Sequence, residues 1–103
     1  MNNLRYGYTP THPGEVLKDE IEYRRISQKK LSEQMGMSYK ILNDILNERR
    51  PLTVETAMLF EAALGIPAYS LINIQTKYNI QITNNNKSFA ERLAKIRKAV
   101  AIL

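Results

Sequence analysis

The sequence predicts an all-α protein: a compact five-helix domain followed by one additional C-terminal amphipathic helix. Three observations predict it. Apolar residues recur at intervals of three and four along most of the chain. Capping side chains and glycines cut that pattern into short segments. An asparagine-rich stretch, Asn84-Asn85-Asn86-Lys87, then sets a last basic segment apart from the rest. Residues 1–10 carry no periodicity and are expected to form an N-terminal arm, residues 11–83 the helical domain, and residues 84–103 the linker and terminal helix.

The first helix is expected from about Pro13 to Arg24. Proline suits the first helical position, where its missing N–H is no loss, and Val16, Leu17 and Ile21 share one face. Ser27 can cap a second helix, Gln28 to Met35, with Leu31 and Met35 stacked one turn apart and Gly36 available for a left-handed exit. After only Gly36 and Met37, Ser38 can cap a third helix that carries Ile41, Leu42, Ile45 and Leu46 on one side. Two short helices thus meet at a tight turn.

The proline and charges of Arg49-Arg50-Pro51-Leu52 predict a loop. Thr53 then caps a helix turning Ala57, Leu59, Phe60, Ala63 and Leu64 inward, and Gly65 ends it. Pro67 opens a fifth helix with Leu71, Ile72, Ile74 and Tyr78 as apolar positions and Asn73 and Gln75 as polar ones. Tyr78 to Thr83 alternates as a strand does, so helix and extended chain both stay open there. Beyond the asparagines, Ser88-Phe89-Ala90-Glu91 has the capping-box pattern. Phe89, Leu93, Ile96, Val100 and Leu103 form a stripe, with Arg92, Lys95, Arg97 and Lys98 on other faces. The stripe is too short for an autonomous coiled coil. It is expected to bury against its own chain or a second copy, ahead of another protein.

With 103 residues, 44% of them hydrophobic, the chain has room for one small core. Zero cysteines exclude a disulfide framework and a thiolate metal site. No apolar run exceeds the five residues Ala99 to Leu103, far short of a membrane span, so no membrane partner is expected. Met1 to Tyr6 has no apolar signal core, which makes the cytoplasm the expected compartment. Lys plus Arg number 15 against 10 Asp plus Glu, and the resulting charge of +5 suits an anionic partner.

Candidate chemistry concentrates between Ser27 and Asn47. In a helix-turn-helix the first helix braces the second, leaving one solvent face of the second free to enter a major groove. With Ile41, Leu42, Ile45 and Leu46 inward, Lys40, Asn43 and Asn47 lie opposite, flanked by Tyr39 and Asp44. These five are the candidate base readers: Lys donates to guanine O6 or N7, Asn pairs bidentately with adenine, and Asp accepts from cytosine N4. Gln28, Lys29, Ser38, Arg49 and Arg50 are candidates for holding phosphates and fixing the register. The same residue types also decorate the solvated face of an ordinary helical bundle, and spacing alone leaves both readings open. Seven basic against three acidic residues between Arg24 and Arg50 favour DNA.

Catalysis finds no support, and no catalytic residue, cofactor or metal is expected. His12 is the single imidazole and sits where it can open the first helix. Glu15, Asp19, Glu20 and Glu22 read as the solvated side of that helix. Tyr23, Tyr69 and Tyr78 are expected as semi-buried anchors, with Tyr39 the one tyrosine well placed for DNA.

The run from Ser27 to Ser38, with Ser-Gln opening the second helix and a Gly-Met-Ser turn before the third, resembles the xenobiotic-response-element (XRE) helix-turn-helix class. His12-Pro13-Gly14-Glu15-Val16-Leu17, Asn43-Asp44-Ile45-Leu46-Asn47, Leu64-Gly65-Ile66-Pro67 and Leu71-Ile72-Asn73-Ile74-Gln75-Thr76-Lys77-Tyr78 together resemble HigA-type antitoxins, collinearly from about His12 to Tyr78. The resemblance implies an XRE/lambda-repressor-like DNA-binding domain, usually dimeric. Such a domain binds double-stranded operator DNA, represses its own operon and neutralises a HigB/RelE-like toxin, a ribosome-dependent mRNA endonuclease. The chain departs from the pattern at Glu48, where glycine is frequent, at Asn79, where an acidic residue is common, and at Leu71, often Trp. Residues 84–103 lie outside the resemblance. Two alternatives remain: a stand-alone helix-turn-helix regulator, and a protein-only inhibitor that uses the helical domain as scaffold.

Overall fold

The computed structural model describes residues 10–103, so the expected N-terminal arm lies, apart from Pro10, outside them. Among the described residues all regular structure is helical: α1 (Pro13–Tyr23), α2 (Gln28–Met35), α3 (Tyr39–Leu46), α4 (Val54–Leu64), α5 (Ala68–Asn84) and α6 (Lys87–Val100). Residues 11–76 form one compact unit and residues 77–103 belong to another, with α5 continuous through the boundary. No helix among the described residues is long and apolar enough to cross a membrane.

The first four helices each start on a side chain that satisfies an orphan N–H. His12 opens α1: its backbone is extended and its Nδ1 accepts from the Gly14 N–H at 2.9 Å, with Pro13 following at the first helical position. Ser27, Ser38 and Thr53 cap α2, α3 and α4 by accepting from the N–H groups of Lys30, Ile41 and Thr56. Gly36 (φ 69°) and Gly65 (φ 77°) end α2 and α4 in the left-handed region that favours glycine.

The core joins Leu17 and Ile21 of α1, Leu31 and Met35 of α2, and Leu42, Ile45 and Leu46 of α3. Leu52, then Ala57, Phe60 and Leu64 of α4, and Leu71 of α5 complete it. Each large side chain fully buried there contributes about 1.5–3 kcal/mol. Long-range polar ties join the elements. The Arg24 guanidinium donates to the Leu64 carbonyl at 2.8 Å, and the buried Gln75 Oε1 accepts from the Leu52 N–H at 2.7 Å.

Several sequence expectations change. On α4 the buried stripe is Ala57, Phe60 and Leu64; Leu59 and Ala63, one position off that stripe, are exposed. Tyr23 and Tyr69 are not semi-buried anchors, being 86% and 78% exposed. Tyr23 stands two residues past the buried Ile21, which on a helix is roughly the opposite face. The alternating run to Thr83 is helical, with the Thr83 hydroxyl donating to the Asn79 carbonyl one turn back at 2.7 Å. Ser88 lies inside the first turn of α6, whose cap is instead Asn86, accepting from the Phe89 N–H at 2.9 Å. The asparagines thus supply the cap as well as the break. No residue of α6 is buried.

Candidate nucleic-acid interface

The helix-turn-helix is α2, Gly36-Met37-Ser38 and α3. Its turn closes when the left-handed Gly36 lets the Met37 N–H reach the Ser32 carbonyl at 3.0 Å. Leu42, Ile45 and Leu46 then face the core, and α3 turns Tyr39 and Lys40 to solvent. Across the core α1 lies directly on the α3 backbone: a Cβ added to Gly14 would collide with the Ile45 carbonyl oxygen. Only a glycine fits there.

That approach creates an open groove of about 710 Å³ lined by Lys18, Ser27, Gln28, Lys29, Tyr39, Asn43 and Asn47. Five of the ten sequence-predicted residues, Gln28, Lys29, Tyr39, Asn43 and Asn47, therefore share one concave surface. The groove carries two lysines and no carboxylate, a lining suited to an anionic backbone. Ser38 lies at the start of α3 with its hydroxyl engaged as the cap.

A second cluster gathers at the end of α3. Asp44, its side chain 13% exposed, binds Lys40 Nζ at 3.0 Å, Arg49 Nε at 3.2 Å and Arg50 Nη2 at 3.7 Å. The Lys40 ammonium, with the Arg49 guanidinium, holds the Asp44 carboxyl below the usual carboxylate range, against a burial that works the other way. Arg49 also reaches Asn43, its Nη2 donating to Oδ1 at 2.8 Å. One carboxylate thus organises three cations.

Asn47 is similarly engaged. Its Oδ1 accepts from Lys18 Nζ at 3.2 Å, and its Nδ2 donates to the Asn43 carbonyl at 2.9 Å. Two groove residues lie outside the sequence-predicted set: Ser27, expected only as a cap, and Lys18, which sequence reasoning missed. Its nearest sequence signal is Gly14, one turn earlier, which marks the face along which α1 meets α3. The loop that follows keeps Glu48 at φ 64°, in the left-handed region that favours glycine.

His12 has no part in this surface. Burial pushes its imidazole below the ordinary value, opposed by the charge of Glu48. Among the described residues no group of three or more His, Cys, Asp or Glu side chains could hold a metal ion, and Glu20 pairs with Arg24 at 2.6 Å.

Comparison with known proteins bears on the same elements. A family model described as helix-turn-helix matches residues 17–71, more than half of the chain. Virulence-associated protein I of Dichelobacter nodosus is 31% identical over 77 residues, 74% of this chain and 71% of that protein. The structure of an addiction-module antidote protein of the HigA family from Coxiella burnetii is 26% identical and superposes with a TM-score of 0.74, covering 84% of this chain and 92% of its own. Antitoxin HigA of Pseudomonas aeruginosa, solved with the higBA promoter, is 27% identical with a TM-score of 0.70, covering 85% and 91%. These likenesses point to a DNA-binding regulator and not to an enzyme. The helix-turn-helix read from Ser27 to Asn47, the one-residue fit of Gly14 and the family match converge: the chain belongs to the helix-turn-helix family, of the XRE type, and its structural neighbours include HigA-family antitoxins.

Proposed function

We propose that this protein is a homodimeric, cytoplasmic antitoxin that binds double-stranded operator DNA, represses its own operon and neutralises a HigB/RelE-like mRNA endonuclease toxin. The observation that carries the DNA reading is the carboxylate-free groove, in which Gln28 and Lys29 from the start of α2 stand beside Tyr39 and Asn43 from the outer face of α3. Gln28 and Lys29 sit at a helix N-terminus, where backbone N–H groups and the helix dipole favour a phosphate. Lys29, Arg50 and the first turn of α3 at Ser38 hold the backbone, and Tyr39, Lys40 and Asn43 read base edges. Asp44 and Asn47 take a supporting role in this reading, since the carboxylate is occupied by three cations and the Asn47 amide ties α1 to α3.

Two features support the dimer. Each short recognition helix covers few base pairs, so a pair reading half-sites about 34–36 Å apart raises both affinity and specificity. Exposed apolar side chains also remain for a second copy to cover: Val54, Met58 and Leu59 on α4 and, separately, Phe89, Ile96 and Val100 on α6. The antitoxin reading is supported by the likeness to HigA-family structures.

The test is co-purification with the product of the neighbouring gene, followed by footprinting of the complex on the upstream DNA. A co-purifying small toxin and a near-palindromic footprint are expected. A footprint without a partner makes the chain a stand-alone regulator. A partner without a footprint makes it a protein-only inhibitor.

A further inference from the structure

We infer that Arg49 is a positioning residue that sets the base preference of Asn43, turning its amide into a donor for guanine; this rests on the DNA-binding reading above. An arginine side chain has donors only, so the Asn43 atom facing Arg49 Nη2 at 2.8 Å must be the carbonyl oxygen. The orientation of this amide is therefore dictated by chemistry. The guanidinium is itself held, because its Nε donates to the Asp44 carboxylate at 3.2 Å. Asp44 is in turn fixed on α3, one residue after Asn43 and 13% exposed. One planar fork thus spans two neighbouring side chains of the recognition helix.

The consequence is a change in what Asn43 offers. An asparagine free on both sides pairs bidentately with adenine, its oxygen accepting from N6 and its nitrogen donating to N7. Here the oxygen is held by a cation, while Nδ2 meets no acceptor among the described residues. The amide keeps both donor hydrogens and one lone pair of Oδ1 for the groove that Asn43 lines. Guanine, with acceptors at both O6 and N7, matches those donors, and its negative edge complements the adjacent guanidinium. Adenine meets the second lone pair of Oδ1 only by bringing its N6 hydrogens against the positive guanidinium that holds the first.

This separates Arg49 from a phosphate contact. At a phosphate contact lysine keeps the charge, and with it the salt slope, and no base preference is at stake. Lysine cannot bridge Asp44 and Asn43 in one plane.

The experiment uses the full chain. The preferred site is selected from a randomised duplex library, the base pair contacted by Asn43 is located with Asn43→Ala, and Arg49→Lys is then compared with the native chain at that pair. The native chain is expected to prefer guanine over adenine by about tenfold or more. Arg49→Lys is expected to lose most of that preference while its salt slope stays the same. Arg49 is 58% exposed, and a thermal melt checks that the variant folds. Adenine preferred by the native chain, or a guanine preference kept by Arg49→Lys, overturns the inference and leaves DNA binding intact. A native chain that selects no site and binds no random duplex at low salt overturns the DNA-binding reading as well.

Discussion

Gly14 of α1 faces the carbonyl oxygen of Ile45 of α3 so closely that no β-carbon fits between them. The contact fixes the separation of the helix that carries Lys18 from the helix that carries Asn43 and Asn47, and so the groove between them. Gly14→Ala is expected to cost about 1–3 kcal/mol, because the backbone must move where no flexible side chain can give way. Urea denaturation measures it. A variant as stable as the native protein would show that α1 shifts freely.

Glu48 occupies a left-handed backbone position, φ 64°, at a cost of about 1 kcal/mol that glycine avoids. Glu48→Gly is expected to raise stability by up to about 1 kcal/mol, read as a higher denaturation midpoint at unchanged slope. The opposite sign would mean that the Glu48 side chain contributes more than the strain removes.

The His12 imidazole titrates below its ordinary value of 6.5 because it is buried, and its Nδ1 is already the acceptor that caps α1. In the unfolded chain the same group titrates near that ordinary value, so the unfolded state binds the proton first. Stability is therefore whole above pH 6.5 and falls as the pH drops below it towards the folded-state value, with a slope of at most about 1.4 kcal/mol per pH unit. Asp44, depressed from an ordinary 3.8, acts in a lower window: its contribution is present above that value and is lost as pH falls through the folded one. His12→Asn keeps a capping acceptor and is expected to flatten the stability curve below pH 6.5. Denaturation curves across that range check it, and an unchanged slope in the variant counts against His12.

Lys29 and Asn43 line the same groove and differ in chemistry. Asn43→Ala is expected to cost about 1–3 kcal/mol on the selected site and little on random DNA. Lys29→Ala is expected to weaken both duplexes alike and to lower the salt slope by about one. Titrations at several salt concentrations distinguish them. Equal losses on both duplexes for Asn43→Ala would remove it from the base readers.

What the sequence determined by itself is the punctuation and the inward stripes. Ser27, Ser38 and Thr53 cap helices, Gly36 and Gly65 end them, and Leu42, Ile45 and Leu46 point inward, because each depends on residues within about one turn. The helix-turn-helix between Ser27 and Asn47 was legible for the same reason. The asparagine run was harder, since Asn serves as both breaker and cap, and Asn86 took the place expected of Ser88.

Tertiary structure alone decided the partners of the polar groups. Lys18 meets Asn47 across 29 residues, and Gln75, a polar position on α5 by sequence, is buried because the Leu52 N–H, 23 residues away, needs its oxygen. Asp44 and Asn43 appeared as two independent readers until folding brought Arg49 against both. A hydrogen bond needs a donor and an acceptor within about 3 Å. For groups that far apart along the chain, that distance is set by how closely the helices pack, which no local pattern of residues encodes.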